Sequence, residues 1–324
     1  MNNKLLISGV LGLGTCMIYT PIHAGEAQAQ SKPNVLIIYT DDMGAGDVSF
    51  LNNGWVKTPN IDKLASGGLI VTNYYSSSPV SSPSRVGLTT GRFPTEMGIN
   101  CYLQTRKGNT ACEQFDYLDA SVPTMAKVMK SAGYTTGHFG KWHMGGGRDV
   151  IDAPQITEYG FDEYISTWES PNPDPVITDS AWIWSRTDQV KRWDRTAYFV
   201  DKTLDFLKRH KGEPCFVNLW PDDMHTPWVP SQKTMDSERT SWTTPPNFKE
   251  VLTEYDKQIG RLMEGLTKLG LEKNTIVIFT SDNGPAPSFQ QMRTNSLLGV
   301  KCSLYEGGIR MPFAIHWPEK IKAG

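Results

Sequence analysis

Short apolar runs alternate with segments of helical periodicity along most of the chain. Residues 35–39, 215–220 and 276–280 are continuous β-rich runs. A strand that is buried on both faces has this unbroken apolar pattern, which is typical of the centre of a parallel sheet. The same reasoning predicts two more strands at residues 134–139 and 311–317.

Apolar residues at helical spacing lie between these runs. The clearest stripe is found within residues 252–269, and shorter ones occur within 122–132, where Gly133 closes the helix, and within 197–207. Strands that alternate with helices indicate an α/β fold with a mostly parallel central sheet and helices on both faces.

The periodicity is lost between residues 145 and 194, a segment rich in Pro, Asp, Trp and Ser. We interpret this segment as an insertion over one rim of the sheet, where substrate loops usually lie. Its tryptophans have two alternative roles, because they can stack on sugar rings or fill a small satellite core. They are Trp168, Trp182, Trp184 and Trp193.

The overall composition is that of an ordinary globular protein. The 324 residues carry a formal net charge of −2, and 39% of them are hydrophobic. A nearly neutral chain does not favour nucleic acid as its main partner. Any strong affinity for anions must therefore come from local clusters of charge.

The first 29 residues predict a signal peptide. Lys4 precedes an apolar run at residues 5–18, and residues 27–29 form an A-x-A cleavage site. The run is short for a bilayer span, so we expect no stable membrane segment and an exported protein, periplasmic or extracellular. A non-cleaved anchor and a lipoprotein modified at Cys16 are the alternatives. In an exported chain Cys101 and Cys112 can pair, since they bracket a short polar loop.

Polar residues follow three of the predicted strands. Asp41 and Asp42 come after the first, Asp282 and Asn283 after the one at 276–280, and residues 222–225 after the one at 215–220. In an open parallel sheet the carboxyl ends of strands meet at one edge, where ligands bind. Adjacent carboxylates repel each other unless a cation lies between them, and oxygen ligands suit calcium or magnesium better than zinc. The alternative is that these side chains only cap helices or turns.

Ser81-Ser82-Pro83-Ser84-Arg85, followed by Thr90-Gly91-Arg92, is the most informative segment. It resembles the signature of the formylglycine-dependent sulfatases of the alkaline phosphatase superfamily, in the serine-type form. Further motifs in the family order extend the resemblance over roughly residues 33–318. They are Asp41-Asp42, Gly140-Lys141-Trp142-His143, His225-Thr226-Pro227, Asp282-Asn283-Gly284, and Lys301 before Glu306-Gly307-Gly308.

The resemblance implies a set of cofactors and site residues. Ser81 would be oxidised to formylglycine by a sulfatase-maturating enzyme of the radical type, and the aldehyde would hydrate to a gem-diol. One calcium ion would be held by residue 81 together with Asp41, Asp42, Asp282 and Asn283. Unlike a serine ester of sulfate, a gem-diol can release sulfate by collapsing to the aldehyde, which explains why residue 81 must be modified.

The resemblance also implies how the remaining site residues share the work. Arg85 and Lys141 would stabilise residue 81 and the charge around it. His143 would assist the release of sulfate, and His225 and Lys301 would hold the sulfate group and protonate the leaving oxygen. The implied substrate is a sulfated small molecule or, because of export and the aromatic segment, a sulfated carbohydrate.

Other residues near the motifs receive no catalytic role. We interpret His138 as structural, and Asp222 and Asp223 as peripheral groups that contact the substrate. Residues 33–324 would form the catalytic domain of the alkaline-phosphatase-like fold, with the C-terminal subdomain of the family missing. Two alternative functions remain, a phosphodiesterase or phosphonate hydrolase with the same metal ligands and a non-enzymatic binder of sulfated glycans.

Overall fold

A seven-stranded sheet lies at the centre of the computed structural model, which describes residues 32–52, 54–178 and 184–324. The strands of the chain are β1 (Asn34–Thr40), β2 (Leu69–Ile70), β3 (Tyr74–Tyr75), β4 (Thr135–Gly140), β5 (Glu163–Ser166), β6 (Cys215–Trp220), β7 (Thr275–Ser281), β8 (Arg310–Met311) and β9 (Phe313–His316). The sheet has the order β2-β9-β7-β1-β6-β4-β5, and β3 and β8 form a separate two-stranded sheet.

The central strands of the sheet are parallel, as the sequence predicts. β1 pairs in parallel with β6 and β7, and β4 pairs in parallel with β5 and β6. β9 is antiparallel to both of its neighbours, β7 and β2. The carboxyl ends of β7, β1, β6 and β4 therefore lie at the same edge.

Helices cover both faces of this sheet. They are α1 (Pro59–Ser66), α2 (Ser81–Thr90), α3 (Arg106–Ala111), α4 (Met125–Ser131), α5 (Arg195–Arg209), α6 (Gln232–Asp236), α7 (Pro245–Leu269) and α8 (Glu306–Ile309). Leu36 and Ile38 of β1 share a core with α1, α5 and α7. The intervening Ile37 and Tyr39 share the opposite core with α2 and α4, because alternate side chains of a strand face opposite ways. The predicted α/β architecture is confirmed.

Local capping explains where the predicted helices begin. The helix predicted at 122–132 starts only at Met125, because the preceding Thr124 is its N-cap and its side chain accepts a hydrogen bond from the Lys127 amide. The apolar stripe that predicts a helix from 252 belongs to α7, which begins earlier. Pro245 fits the first turn there, and the preceding Thr244 caps it.

Two predictions about strands are wrong in part. Residues 311–317 do not form one strand, because Pro312 lies between β8 and β9 and these belong to different sheets. The segment 145–194 is not only an insertion, because it contributes β5 at the edge of the main sheet. This strand has four residues and is only partly buried, so it lacks the apolar run of a central strand.

The aromatic residues of this segment build a satellite core. Trp184 packs on Trp242 with ring centroids 5.1 Å apart, in a small buried cluster against which Trp193 packs. This favours the satellite-core role for Trp184 and Trp193. Trp182 lies outside the described residues.

The predicted signal peptide at 1–29 lies outside the described residues. Within those that are described, no helix has both the length and the apolar character needed to cross a bilayer. Cys101 and Cys112 carry free thiols, so the pairing considered above is not formed in this structure.

Shortening a central side chain of the sheet should destabilise the protein strongly. Leu219 of β6 is completely buried. We expect Leu219→Ala to lower the free energy of unfolding by about 2–5 kcal/mol, because a cavity is left in a core that packs on both sides of the strand. Urea unfolding followed by tryptophan fluorescence measures the change. The matched control is Leu304→Ala, whose side chain is exposed; the interpretation is wrong if both variants lose the same amount.

Candidate active site

The carboxyl ends of β1 and β7 bring four oxygen-bearing side chains together. Thr40 and Ser281 are partners in the parallel register, so Asp41 lies beside Asp282. The Asp42 amide donates to Asp282 Oδ1 at 3.0 Å, and Asn283 Nδ2 donates to Asp42 Oδ1 at 2.7 Å. All four side chains are buried. The predicted meeting of two polar strand ends is observed.

The neighbouring ends of β4 and β6 place Lys141 on this cluster. The Lys141 amide donates to the Trp220 carbonyl at 2.8 Å, and its Nζ lies 2.9 Å from Asp41 Oδ2. Gly140 precedes it with φ 130°, and a Cβ there would lie 2.1 Å from the Trp220 carbonyl oxygen. Only glycine permits this approach of the two strands.

Helix α2 carries Ser81 and Arg85 into the same cluster. Ser81 is the first residue of the helix, and Arg85 follows four positions later on the same face. The Ser81 hydroxyl donates to Asp41 Oδ1 at 3.1 Å and to Asn283 Oδ1 at 3.3 Å. The Arg85 guanidinium lies 2.9 Å from Asp282 Oδ2 and 3.3 Å from Asp41 Oδ1. The spacing of the motif therefore has a geometric basis.

The serines between them anchor the helix. The Ser84 hydroxyl donates to the Asp282 carbonyl at 2.5 Å, and the Ser82 hydroxyl accepts from the Leu103 amide at 2.9 Å. These bonds fix the first turn of α2 against the end of β7 and against the loop before α3.

Lys301 and His225 lie on the more open side. Lys301 Nζ is 2.6 Å from Asp42 Oδ1, and His225 Nε2 is 3.8 Å from Asp42 Oδ2. Their side chains are 18% and 21% exposed, whereas that of Lys141 is 4% exposed. A ligand that enters the site therefore meets Lys301 and His225 first.

The glycines of the two last motifs pack against each other. The Gly284 amide donates to the Gly308 carbonyl at 2.8 Å. A Cβ on Gly284 would lie 1.9 Å from the Gly307 carbonyl oxygen. This contact joins the loop after Asn283 to α8.

His143 lies deeper, on the side of Lys141. Its Nε2 is 3.1 Å from the Leu103 carbonyl oxygen and 3.3 Å from Glu169 Oε1. Glu169 is buried and also lies 3.4 Å from Lys141 Nζ. Burial lowers the pKa of His143 to about 3, so the imidazole is neutral at neutral pH.

The electrostatics of the carboxylates favour a cation. Asp41, Asp42 and Asp282 each offer an oxygen, and these atoms all lie within 4.8 Å of one another. Burial, followed by the negative charge of Asp41, raises the pKa of Asp282 to about 7. Burial would also raise the pKa of Asp41, but Lys141 and other cationic neighbours hold it well below the ordinary value. A buried, oxygen-only set of this kind fits a hard cation such as calcium.

Lys301 and His225 supply further positive charge or basic groups on the more open side of the cluster. His225 has a lowered pKa because of burial and the nearby Lys301. An anionic group bound beside it would favour its protonated form. The arrangement can therefore hold a cation on the carboxylate side and an anion on the side of Lys301 and His225.

Three residues outside the motifs behave differently from one another. Asp222 is buried and held by Arg192 at 2.6 Å and Arg195 at 2.8 Å. Asp223 is buried too, and the Thr196 hydroxyl donates to it. The substrate contacts of Asp222 and Asp223 stay a prediction, and in this structure one oxygen of each carboxylate is held by side chains of the protein. His138 packs edge-on against Trp142 and Trp220 in the core, as a structural residue does.

The residues that support the site from behind belong to none of the sequence motifs. Glu169 is the most important, and its segment offers no periodicity or motif that marks it. Arg293 is another: it binds the buried Asp47 carboxylate at 2.8 Å and donates to the Asp42 carbonyl at 2.7 Å. A buried charge of this kind is evident only when the distant partner is known.

Comparisons with known proteins identify the family of this chain. A family model described as Sulfatase matches residues 33–324. The N-acetylgalactosamine-6-O-sulfatase of Bacteroides thetaiotaomicron is 29% identical over an alignment of 388 residues including gaps. The alignment covers 98% of this chain and 73% of that protein. The human N-acetylgalactosamine-6-sulfatase is 30% identical over 325 residues, covering 93% of this chain. The chain spans only 60% of the length of the human protein.

Solved structures show the same likeness. One, from work on the metabolism of multiple glycosaminoglycans by Bacteroides thetaiotaomicron, has a TM-score of 0.72 and 29% identity, and the match covers 90% of this chain and 73% of that one. The phosphonate monoester hydrolase of Agrobacterium radiobacter has a TM-score of 0.62 at 19% identity, covering 89% of this chain and 68% of that one. The second likeness shows the fold alone.

The family model covers nearly all of the described chain, and the relatives agree with it. The residues that carry the resemblance in the sequence also converge in the structure. The chain belongs to the sulfatase family, which is a family of sulfuric ester hydrolases.

Proposed function

We propose that this chain hydrolyses a sulfate ester of a carbohydrate, with formylglycine made from Ser81 as nucleophile and one bound calcium ion. The observation that carries the proposal is the position of Ser81. Its hydroxyl contacts Asp41 and Asn283 among three buried carboxylates, and four cationic or basic side chains line the rest of the site. These four are Lys141, His143, His225 and Lys301.

The calcium ligands would be Asp41, Asp42, Asp282 and Asn283, together with residue 81. These groups offer oxygen atoms as ligands, and burial and the neighbouring Asp41 raise the pKa of Asp282 even though Arg85 lies beside it. When bound, the ion supplies positive charge to the oxygen of residue 81 and to the substrate's sulfate group.

Formylglycine at position 81 would supply a nucleophile that can also be regenerated. A sulfate ester of ordinary serine would be as stable as the substrate ester, whereas the hydrated aldehyde has a second hydroxyl. Loss of the proton from this hydroxyl would re-form the aldehyde and expel sulfate by cleavage of the C–O bond. A sulfatase-maturating enzyme would be a transient partner of the chain. The position of Ser81 supports this part of the proposal, because its hydroxyl contacts two of the proposed metal ligands.

The other side chains would orient the metal ligands, bind the sulfate group or transfer protons. Arg85 holds Asp282 and Asp41 and therefore orients two ligands at once. Lys301, at the open side, would bind the sulfate oxygens, and His225 would protonate the leaving alcohol oxygen once the anion favours its charged form. His143, neutral at neutral pH, would accept a proton during release of sulfate.

A sulfated carbohydrate is the substrate class that the comparisons favour. Two relatives are named for 6-sulfated N-acetylgalactosamine, and one solved structure comes from work on glycosaminoglycans. We therefore propose a glycan carrying N-acetylgalactosamine 6-sulfate. Such polymers lie outside the cell, which agrees with the export that residues 1–29 predict.

Maturation of Ser81 should determine activity. Co-expression with a serine-type maturating enzyme should remove two hydrogens from the peptide that contains Ser81, as mass spectrometry detects. The matured chain should hydrolyse an aryl sulfate faster than the matching aryl phosphate, and Ser81→Ala should lose about a thousand-fold or more of kcat. Ser77→Ala, on the strand side of the same loop, is the matched control. Matured protein that prefers the phosphate would support the hydrolase of phosphorus esters instead, and one that only binds sulfated glycans would support the non-enzymatic alternative.

Calcium removal should abolish turnover reversibly. Chelation should remove about one ion per chain, lower the melting temperature and stop hydrolysis, and calcium should restore both. An ion at a hundred times its Kd stabilises the folded state by about 2.7 kcal/mol. Asp282→Asn should bind calcium at least tenfold more weakly, because a charged ligand is lost. Elemental analysis and calorimetry measure this, and an unchanged calcium content in Asp282→Asn contradicts the proposed ligand set.

Among sulfated saccharides, the matured enzyme should act best on N-acetylgalactosamine 6-sulfate. The check is a panel of saccharides sulfated at different positions, with release of sulfate measured by ion chromatography. The same sugar sulfated at position 4 is the matched control. Faster release from the 4-sulfate would refute the proposed position while leaving the reaction class intact.

A further inference from the structure

Glu169 is a buried carboxylate beside the site that has no part in the mechanism so far. It follows β5 and is 6% exposed. Its carboxylate lies 3.3 Å from His143 Nε2, 3.4 Å from Lys141 Nζ and 3.3 Å from the Arg148 guanidinium. Removing a charged carboxylate from water costs free energy and requires specific partners, and three of them surround Glu169.

The contacts of His143 determine which of its nitrogens carries the hydrogen. Nε2 faces two acceptors, the Leu103 carbonyl at 3.1 Å and the Glu169 carboxylate at 3.3 Å. Neither oxygen can donate, so Nε2 must be the N–H of the neutral ring. Nδ1 is buried and has no hydrogen-bond partner among the described residues. The free lone pair of His143 is therefore on Nδ1.

Glu169 holds the backbone of His143 as well as its ring. The His143 amide donates to the Glu169 carbonyl at 2.9 Å. His143 has a φ of 54°, a left-handed conformation that is strained for a residue with a side chain. The two contacts with Glu169, at the main chain and at the ring, hold the residue in this conformation and aim the ring.

We propose that Glu169 is a positioning residue that fixes His143 as the Nε2–H tautomer and stabilises the ring when Nδ1 accepts a proton. This inference rests on the proposed function, in which His143 assists the release of sulfate. A carboxylate behind a histidine base is a general way to select its tautomer and to stabilise its charged form.

The charges around the pair show why an anion is needed there. Burial lowers the pKa of His143 to about 3, and Lys141 and Arg85 act in the same direction, whereas Glu169 raises it. Burial would raise the pKa of Glu169 itself, but His143, Lys141 and Arg148 bring it down to about 2, helped by His225. Glu169 is thus ionised at neutral pH, and it is the one carboxylate in contact with the His143 ring among the described residues.

A purely structural role for Glu169 makes different predictions. If Glu169 only neutralised Lys141 and Arg148, its replacement would change stability without changing the hydrogen bond at His143 Nε2. The control for loss of a carboxylate is Glu163→Gln, in β5 of the same segment, where the side chain is partly exposed and paired with Arg209.

Nuclear magnetic resonance of ¹⁵N-histidine-labelled protein tests the inference without any turnover. Unmodified protein should show His143, assigned with His143→Gln, with a protonated Nε2 and an unprotonated Nδ1. In Glu169→Gln the Nε2 proton should move upfield, because an amide oxygen is a weaker acceptor than a carboxylate. Glu163→Gln should leave it in place. A wild-type ring protonated on Nδ1, or an Nε2 proton unmoved in Glu169→Gln, overturns the proposal.

Kinetics of the matured protein give the second readout. Glu169→Gln should lower kcat for an aryl sulfate by about 10–100-fold with KM nearly unchanged. This is the usual effect of losing a residue that orients a catalytic base by a hydrogen bond. The first turnover should still release its alcohol rapidly, as a burst, because the slowed step comes later. Glu169→Asp should recover part of kcat. Loss of activity through a raised KM, or without a burst, overturns the proposal.

The two readouts separate failure of this inference from failure of the proposed function. Matured wild-type protein without sulfatase activity would refute the function, whereas the resonance experiment would still decide whether Glu169 fixes the His143 tautomer. Circular dichroism melting establishes that each variant is folded. If Glu169→Gln does not fold, Glu169→Asp in the resonance experiment decides, since a shorter carboxylate should also move the Nε2 proton.

Discussion

Mutual repulsion of buried carboxylates is the constraint on which the whole site depends. Asp41, Asp42 and Asp282 are buried and each has an oxygen within 4.8 Å of the others, a state that is costly without opposite charge. Arg85, Lys141 and Lys301 each hold at least one of them. In the proposed function, one of these cations, Lys301, would also bind the sulfate group. Protein stability and the proposed recognition of sulfate would then depend on one set of charges.

The parallel sheet makes this concentration of charge possible. Neighbouring strands that point the same way end at one edge, so residues far apart in the sequence arrive there in register, as Thr40 and Ser281 do. Helix α2 adds Ser81 and Arg85, which are four residues apart and lie on the same face of its first turns. Close strand approach then requires glycine at position 140. The site is thus assembled from the residues that directly follow the strands and from the first turns of one helix.

Most of the fold and of the site could be predicted from the sequence, because the central strands are continuous apolar runs and the polar residues that follow them form spaced motifs. What escaped prediction depends on contacts between distant segments. β5 is a short edge strand without an apolar run, and Glu169 is an acidic residue in a loop-like stretch whose burial follows only from the positions of Lys141, His143 and Arg148. The ion pairs and hydrogen bonds of Asp222 and Asp223 could not be predicted for the same reason, since their partners Arg192, Arg195 and Thr196 lie in the helical region before them.

The burial of Ser81 constrains whether its modification can come before or after folding. In the folded chain the residue is 2% exposed, at the start of a helix whose neighbours hold it by hydrogen bonds. A modifying enzyme that binds the peptide around Ser81 would have to detach and unfold this helix first. If Ser81 is converted as proposed, the conversion belongs to the nascent or unfolded polypeptide, and folding then seals the product inside.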